Sequence, residues 1–304
     1  MSIWGLLISD THVGSPFALW PPDFMTSNGT LVGLNKGQEY LLCNWNWALQ
    51  QVNKLTGGKL GLLILVGDLV HGKQKRDEGV NLVEPDPQFQ ARAFLHLLED
   101  ANLKPQETHM VQGTKYHVDI NAEAEEWIGL TLNAIQDDRG HYCTEWIPYL
   151  GIHGIGLDIA HHQSIVMVNR AMPLERERRY ANQVSDMKRG VVHLIIRAHA
   201  HRYVFLDIDG ERELGLPPVC LQDPYCKKSI TPNRLLSRWI GIVALEFIPD
   251  NLGTGMSPVI PHPILFPHPD LPARIFGGEA NKDDRTGLRH GRLGKRISQA
   301  LGRN

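Results

Sequence analysis

The sequence predicts an α/β fold built on a mixed sheet or on two sheets. Apolar runs that suit buried strands alternate with helical patterns in the first part of the chain, and strand-like segments dominate the rest. Three of these apolar runs end in Asp or His residues. Because open α/β sheets place their sites at the carboxyl ends of strands, the arrangement indicates a metal centre, most simply one of two ions.

The composition is that of a soluble globular protein that can bury a sizeable core. The 304 residues are 42% hydrophobic and 21% charged, and the formal net charge of -2 argues against a globally basic nucleic-acid coat. The four cysteines are scattered and form no C-x-x-C pair, and we find no signal peptide and no apolar run of membrane-spanning length. We therefore expect a cytoplasmic protein with reduced thiols and no membrane contact.

The first half of the chain is predicted to alternate strands with helices. Residues 2–9 and residues 60–66 are apolar runs typical of buried strands. Apolar residues at helical spacing predict helices over residues 38–55 and 86–101, and Asp86 is a suitable N-cap for the second. These four segments supply the strand–helix alternation on which the fold class depends.

The second half of the chain is richer in strands. Its predicted elements are a strand at 108–111, a helix at 121–135 capped by Asn121, two strands within 146–160, a polar helix at 173–189, a strand at 191–196, a hairpin of 203–209 and 211–216, and a strand at 239–248. We expect all of them to belong to one α/β domain.

We expect one main domain over residues 1–250 and a separate segment over residues 251–304. A loop insertion at 14–37, rich in Gly, Pro, Asn and Ser, has the length of a functional or mobile loop. The final segment is rich in proline from Pro258, and residues 285–304 carry six basic residues and no acidic one. The tail is interpreted either as solvated, flexible chain or as a phosphate-binding extension.

Five short polar blocks follow predicted strands in a fixed order. They are Asp10-Thr11-His12, Gly67-Asp68, Gly113-Thr114 with His117, His161-His162, and His199-Ala200-His201. Residues at i and i+2 on a strand face the same side, so the first and last blocks can each present two ligands to one place. The order resembles the metallophosphoesterase (calcineurin-like) superfamily, whose pattern is D-x-H, G-D, G-N-H-[DE], a lone H and G-H-x-H.

The resemblance implies a sandwich of two mixed β-sheets flanked by helices, in four αββα layers, with residues 1–250 as the catalytic domain. It also implies a hydrolase in which a metal-bound hydroxide attacks phosphorus. By position, the first metal would be held by Asp10, His12 and His201, the bridging ligand would be Asp68, and the second metal would be held by His161 and His199. Mixed carboxylate and imidazole ligands suit manganese first, with Fe, Zn or Co as alternatives.

The third block departs from the family pattern. Thr114 stands where the family has its metal-binding Asn, and His117 follows three residues later. A Thr hydroxyl is a poorer ligand than an amide carbonyl. His117 therefore either ligates the second metal in place of the amide or acts as the catalytic proton donor. Arg197-Ala198 also replaces the usual Gly before the last block, which we interpret as a packing change.

The remaining histidines are less suited by position to be metal ligands. Adjacent residues on a strand face opposite sides, so only one of His161 and His162 can face the metals, and position favours His161. His71 is interpreted as a loop residue, although it follows the bridging Asp closely, and His193 as a core or sheet-face residue. A single structural zinc is disfavoured because no Cys lies in the five blocks.

The metal blocks do not select a substrate. The basic tail at 285–304 and the loop at 14–37 favour a phosphodiester of a nucleotide or a nucleic acid, as for a phosphodiesterase or nuclease. A phosphomonoesterase is one alternative. A non-catalytic binding or scaffold module whose site is degraded at Thr114 is another. The sequence does not predict an oligomeric state.

Overall fold

The computed structural model describes residues 2–73, 79, 82–118, 121–162, 190–222 and 239–269. Its strands are β1 (Ile3–Ile8), β2 (Leu60–Val66), β3 (Pro105–Val111), β4 (Cys143–Thr144), β5 (Trp146–Ile152), β6 (Ile155–Ala160), β7 (Val192–Arg197), β8 (Val204–Ile208), β9 (Glu211–Gly215), β10 (Trp239–Phe247) and β11 (Val259–Pro267). Its helices are α1 (Lys36–Thr56), α2 (Pro87–Asp100), α3 (Lys115–Val118) and α4 (Glu123–Thr131), and a 3-10 turn spans Pro249–Asn251.

The strands form two mixed sheets, which confirms the predicted fold class. The first sheet has six strands in the order β11-β10-β1-β2-β3-β4, and the second has five in the order β5-β6-β7-β9-β8. Strands β1 to β4 run parallel, whereas β10 is antiparallel to both of its neighbours. In the second sheet β7 is parallel to β6 and β9, and the outer pairs are antiparallel.

Two apolar layers hold these elements together. One lies between the helices and the first sheet and includes Trp45 of α1 and Phe94 of α2. The other lies between the sheets, where Ile64 of β2 packs in the same cluster as Leu157 of β6 and Leu194 of β7. The predicted helix at 173–189 lies outside the described residues, so the fourth layer of the αββα sandwich stays a prediction.

A local side-chain cap starts α1 and α2, but not α4. Asn35 closes a capping box with Gln38 at the start of α1, and the Asp86 side chain accepts the amide of Gln88 as predicted. The prediction of Asn121 as a cap is wrong, because α4 begins after Ala122, whose φ of 48° is left-handed and whose side chain forms no cap. The carboxylates in the first turn of α4 bind neighbouring loops instead, and these contacts fix where the helix starts.

The first compact unit extends to His268, beyond the predicted boundary at residue 250. The reason is β11, which pairs with β10 along its whole length. Its prolines at 261, 263 and 267 share one phase of the strand, so they remove N–H groups from a single edge. An edge strand can spare those donors, and β11 is the edge of its sheet.

The loop at 14–37 is packed onto the domain. Trp20 is fully buried, and Ala18 forms an isolated bridge with Cys220. The buried Glu84 accepts the backbone amide of Ser27 at 2.6 Å and its hydroxyl at 2.8 Å. Across the described ranges, no helix combines the length and the apolar character that crossing a membrane requires.

Candidate metal centre

The structure brings all seven predicted site residues to one edge of the sandwich. Each follows a strand, because the parallel strands of both sheets end there. The residues by element are Asp10 and His12 after β1, Asp68 after β2, His117 on α3 after β3, His161 after β6, and His199 and His201 after β7. The seven residues therefore lie together, and the role of each stays a prediction.

The backbone at these positions is unusual. Five residues adopt left-handed φ angles between 46° and 63°, a conformation that non-glycine residues take rarely and that clusters at functional sites. They are Asp10, His12, Asp68, His199 and His201. All five are predicted ligands. The left-handed turns therefore orient these side chains toward a common point.

Close backbone approach fixes the Asp68 loop. The amides of Asp10 and His12 donate to the carbonyls of Gly67 and Asp68, each at 3.0 Å. A Cβ added at Gly113 would lie 2.3 Å from the Asp68 nitrogen, so only glycine allows the β3 loop to come this near. The loops after β1, β2 and β3 are therefore locked against one another.

Asp10 lies at the centre of one group of imidazoles. Its Oδ1 is 3.2 Å from His201 Nε2 and 3.9 Å from His12 Nε2, and the two imidazole nitrogens are 3.2 Å apart. Although burial alone would raise the pKa of Asp10, His201 and His161 hold it below its usual value. The fully buried carboxylate is therefore ionised and suited to a cation.

Asp68 belongs to both halves of the site. Its ligand atoms lie within 4.8 Å of those of His161 and His199, and within the same distance of those of Asp10 and His12. Burial would raise the pKa of Asp68, but His161 and other neighbouring imidazoles hold it well below its usual range. A carboxylate in this position can bridge two cations, as the resemblance implies.

The tautomer of His161 leaves one nitrogen available as a ligand. Its Nδ1 lies 2.7 Å from the carbonyl of Val66, which can only accept, so Nδ1 carries a proton and Nε2 is the nitrogen that faces the site, where a metal would replace the second proton. That Nε2 is 3.0 Å from Asp68 Oδ2 and 3.9 Å from Asp10 Oδ1. Burial opposes protonation, but the two carboxylates prevail and raise the pKa of His161 to about 10.

The donor set fits divalent transition metals. Asp10 Oδ1 and His161 Nε2 are buried, and their close polar neighbours are other candidate ligand atoms, His201 Nε2 at 3.2 Å and Asp68 Oδ2 at 3.0 Å respectively. Carboxylate oxygens mixed with imidazole nitrogens suit Mn, Fe, Co or Zn. The residues therefore fit the two ions that the sequence predicts.

His117 joins the side of the site that contains His12. Its Nδ1 lies 2.9 Å from the carbonyl of His71, so Nδ1 carries the proton and Nε2 is left with a lone pair. The His117 ring is 4.4 Å from that of His12, and one ligand atom each of His12, His71 and His117 lies within 4.8 Å of the others. The structure thus groups His117 with a predicted ligand of the first metal rather than with His161 and His199.

Thr114 acts on the bridging carboxylate. Its amide donates to Asp68 Oδ1 at 2.7 Å, and its hydroxyl lies 3.1 and 3.2 Å from the two Asp68 oxygens. The hydroxyl and the amide therefore orient Asp68. An Asn at this position would carry an amide oxygen, which is a far better metal ligand.

Two site neighbours were missed from the sequence. His71 is buried against His12 and His117, so its interpretation as an ordinary loop residue was wrong. Cys220 Sγ lies 3.9 Å from His201 Nδ1, on the far side of that ring from Asp10. His71 stands three residues after Asp68, which was a usable signal, but no local pattern indicates that the chain returns to the site at Cys220.

The remaining assignments match their expected surroundings. His161 is buried in the site whereas its neighbour His162 is exposed, as the strand alternation predicted. His193 Nδ1 accepts the amide of Gly156 at 3.0 Å within the second sheet. Arg197 forms a buried ion pair with Asp158 at 2.6 Å, which is the packing change expected before the last block.

Solved structures similar to this chain have low sequence identity to it. Zinc-complexed wild-type Vps29 from Entamoeba histolytica is 15% identical with a TM-score of 0.40, over 86% of this chain and 99% of that one. A dimetal phosphatase from Danio rerio is 10% identical with a TM-score of 0.41, over 80% and 92%. A novel archaeal phosphodiesterase is 13% identical with a TM-score of 0.39, over 86% and 99%.

No protein-family model and no curated protein matches the sequence. Structural likeness at these TM-scores does not assign a function, so the chemistry must come from the residues of this chain. The two mixed sheets, with the polar blocks gathered at one edge, are the architecture and the site position that the resemblance in the sequence implies.

Proposed function

We propose that the protein is a metal-dependent phosphoesterase whose centre is built around Asp10 and Asp68. The observation that carries the proposal is the convergence of two buried carboxylates and several imidazoles, with Asp68 within 4.8 Å of ligand atoms on both sides. The contacts of Asp10 Oδ1 with His201 Nε2 at 3.2 Å and of Asp68 Oδ2 with His161 Nε2 at 3.0 Å support it, since a divalent cation could replace the protons that hold these groups together.

One ion would be held by Asp10, His12 and His201, and the other by His161 and His199, with Asp68 between them. When bound, two such ions supply Lewis acidity at phosphorus and lower the pKa of water. Thr114 holds the Asp68 carboxylate, and the Val66 carbonyl holds the His161 ring. These contacts fix the ligands before the substrate arrives, so little reorganisation remains for the reaction.

The contribution of His117 is either that of an additional ligand or that of a proton donor. The His71 carbonyl holds its Nδ1 proton, and the lone pair on Nε2 is therefore available as a further ligand beside His12. A protonated Nε2 could instead deliver its proton to the oxygen that leaves phosphorus. Both roles need the ring orientation that the His71 carbonyl imposes.

The substrate we propose is a phosphodiester of a nucleotide or a nucleic acid. Its support is the basic composition of residues 285–304, which lie outside the described part of the chain. Phosphomonoesters are the alternative of the same class.

A screen of mono- and diesters with added manganese tests the proposal. We expect bis-p-nitrophenyl phosphate to be hydrolysed faster than p-nitrophenyl phosphate, and hydrolysis to stop when the metal is chelated. A preference for the monoester would redirect the proposal to a phosphomonoesterase. No turnover on either class with two ions bound would contradict an enzymatic role.

A second candidate is a binding or scaffold module on the same fold. The observation in its favour is Thr114, which replaces the family's amide ligand and donates to Asp68. A module of this kind should purify with fewer than two ions per chain and hydrolyse neither ester. Metal content and turnover, measured on the same sample, separate it from the enzyme.

A further inference from the structure

We propose that Glu125 is a positioning residue of the metal centre, which ties the loop carrying Asp68 to the loop carrying Thr114. The inference rests on the proposed function, because it concerns the same centre. Glu125 lies on α4, outside the five blocks, and its side chain contacts none of the predicted ligands by hydrogen bond. It would act only through the two loops.

The geometry is a bridge between two backbone amides. Glu125 is completely buried. Its Oε1 accepts the amide of Leu69 at 3.0 Å, and its Oε2 accepts the amide of Gly113 at 2.8 Å. Leu69 follows Asp68 directly, and Gly113 precedes Thr114 directly. One carboxylate thus fixes the residues next to both members of the Thr114–Asp68 contact.

Small movements of these two loops would change the position of Asp68. The Thr114 amide reaches Asp68 Oδ1 at 2.7 Å, and Gly113 approaches the Asp68 backbone as closely as a residue without Cβ can. Asp68 itself is held in a left-handed conformation with a φ of 51°. Loosening either loop would therefore shift the carboxylate that lies between the two metal positions.

The bridge requires two acceptor oxygens. Both amide partners are N–H donors, and Cys143 Sγ also lies 3.8 Å from Oε2, so both oxygens of Glu125 must accept. A Gln side chain has the same shape but only one acceptor, and its NH₂ group would face an N–H. Residues that orient metal ligands from one shell further out typically change metal affinity by about 10–100-fold when replaced.

The same helix offers a matched control in Glu126. Its carboxylate also accepts two backbone amides, those of Tyr142 at 3.0 Å and Cys143 at 3.1 Å. Those amides belong to the segment that enters β4, not to the loops of Asp68 and Thr114. Glu125→Gln and Glu126→Gln thus remove the same kind of bridge from neighbouring positions, and only the first removes it from the site.

The experiment compares manganese affinity, turnover and melting temperature in the full chain and these two variants. We expect Glu125→Gln to weaken manganese binding by about 10–100-fold and to lower turnover. Glu126→Gln should lower the melting temperature by no more than Glu125→Gln does, because the Glu126 side chain is 23% exposed, and should leave manganese affinity within about 2-fold of wild type. Unchanged affinity in folded Glu125→Gln, or equal losses of affinity in both variants, would overturn the proposal.

A second variant and the wild-type activity cover the case in which Glu125→Gln does not fold and the case in which the protein is not an enzyme. Should Glu125→Gln fail to fold, Glu125→Asp keeps the charge but is one methylene shorter, so it should fold and lose affinity by a smaller factor; wild-type affinity in Glu125→Asp would overturn the proposal. A wild-type protein that binds manganese yet hydrolyses no ester would contradict the proposed function alone. The affinity comparison would then still judge Glu125.

Discussion

At the scale of single residues, the centre is prepared by hydrogen bonds that select tautomers. The Val66 and His71 carbonyls accept hydrogen bonds from Nδ1 of His161 and His117, which leaves Nε2 of each ring facing the site. This is the usual way in which an imidazole is oriented as a metal ligand. The role of His117 can therefore be tested by substitution.

We expect His117→Ala to lower manganese occupancy, with part of the activity rescued by excess manganese, because its Nε2 lies among the ligand atoms around His12. Metal analysis of the dialysed protein and turnover against manganese concentration check this. Full occupancy with a rate loss of about 10²–10⁴-fold, shrinking on esters of p-nitrophenol, would assign His117 as the proton donor instead. Thr114→Asn is the companion variant, and a gain in metal affinity there would show that the site is one ligand short.

A residue-level prediction also follows for the stability of the metal-free protein. Burial raises the pKa of Glu125 to about 7, although the amides of Leu69 and Gly113 oppose the shift. The folded state therefore binds this proton more tightly than the unfolded chain does. The stability that this proton linkage contributes is complete below the unfolded pKa of about 4.5 and is lost as pH rises through about 7.

We expect the free energy of unfolding of the wild type, relative to Glu125→Gln, to fall as pH rises from about 5 to about 8. The steepest slope should not exceed about 1.4 kcal/mol per pH unit, since one proton is involved. Urea unfolding in the presence of a chelator measures the difference. A difference that stays constant over this range would show that Glu125 does not titrate there.

At the scale of elements, the position of a histidine along β7 or beyond its end decides whether its side chain reaches the centre. His193 on β7 bonds to Gly156 within the second sheet, whereas His199 and His201 follow the strand into the site. We expect His199→Ala and His201→Ala each to lose metal, while His193→Ala changes stability at most. Metal analysis of the three variants checks this, and equal loss in all three would contradict the assigned geometry.

Elements were predictable from the sequence where local chemistry is decisive. The apolar runs that became β1 and β2, and the Asp86 cap of α2, lie where the sequence placed them. Strand β11 was missed because its prolines are typical of coil, and only its place at a sheet edge makes them acceptable. The start of α4 was missed because the contacts of its carboxylates with distant loops, rather than a local cap, determine it.

At the site, too, local patterns identified some residues and missed those that depend on distant packing. The position in the family pattern was enough to choose His161 over His162, and the D-x-H spacing was enough to pair Asp10 with His12. The burial of His71 and the approach of Cys220 depend on how distant segments pack, which no local pattern encodes. Glu125 was missed for the same reason, since its partners are 56 and 12 residues away in the chain.

At the scale of the whole molecule, the two sheets contribute opposite halves of one centre. Asp10, His12 and Asp68 come from the first sheet, and His161, His199 and His201 come from the second. Each proposed metal would take ligands from both sheets, so the apolar layer between the sheets holds the two parts of each ligand set together. Binding of metal to the folded state should in turn stabilise the sandwich.

The basic tail provides a prediction about the substrate. Removing residues 285–304 takes away six positive charges. If the tail contacts phosphates, truncation should weaken binding of single-stranded DNA and flatten its dependence on salt, while turnover of bis-p-nitrophenyl phosphate stays intact. Fluorescence anisotropy across a salt series measures both. Unchanged affinity and slope would show that the tail takes no part in binding nucleic acid.

The central claim is a two-metal centre bridged by Asp68, and its most direct test is Asp68→Asn. A neutral amide cannot offset two divalent cations, so the variant should lose at least one of two bound ions and all measurable hydrolysis of bis-p-nitrophenyl phosphate. Metal stoichiometry and turnover are measured on one preparation, with His193→Ala as the control for handling. We expect two bound ions and turnover in the wild type. In Asp68→Asn we expect fewer than two bound ions and no turnover. Near-wild-type turnover of Asp68→Asn at saturating manganese would contradict it.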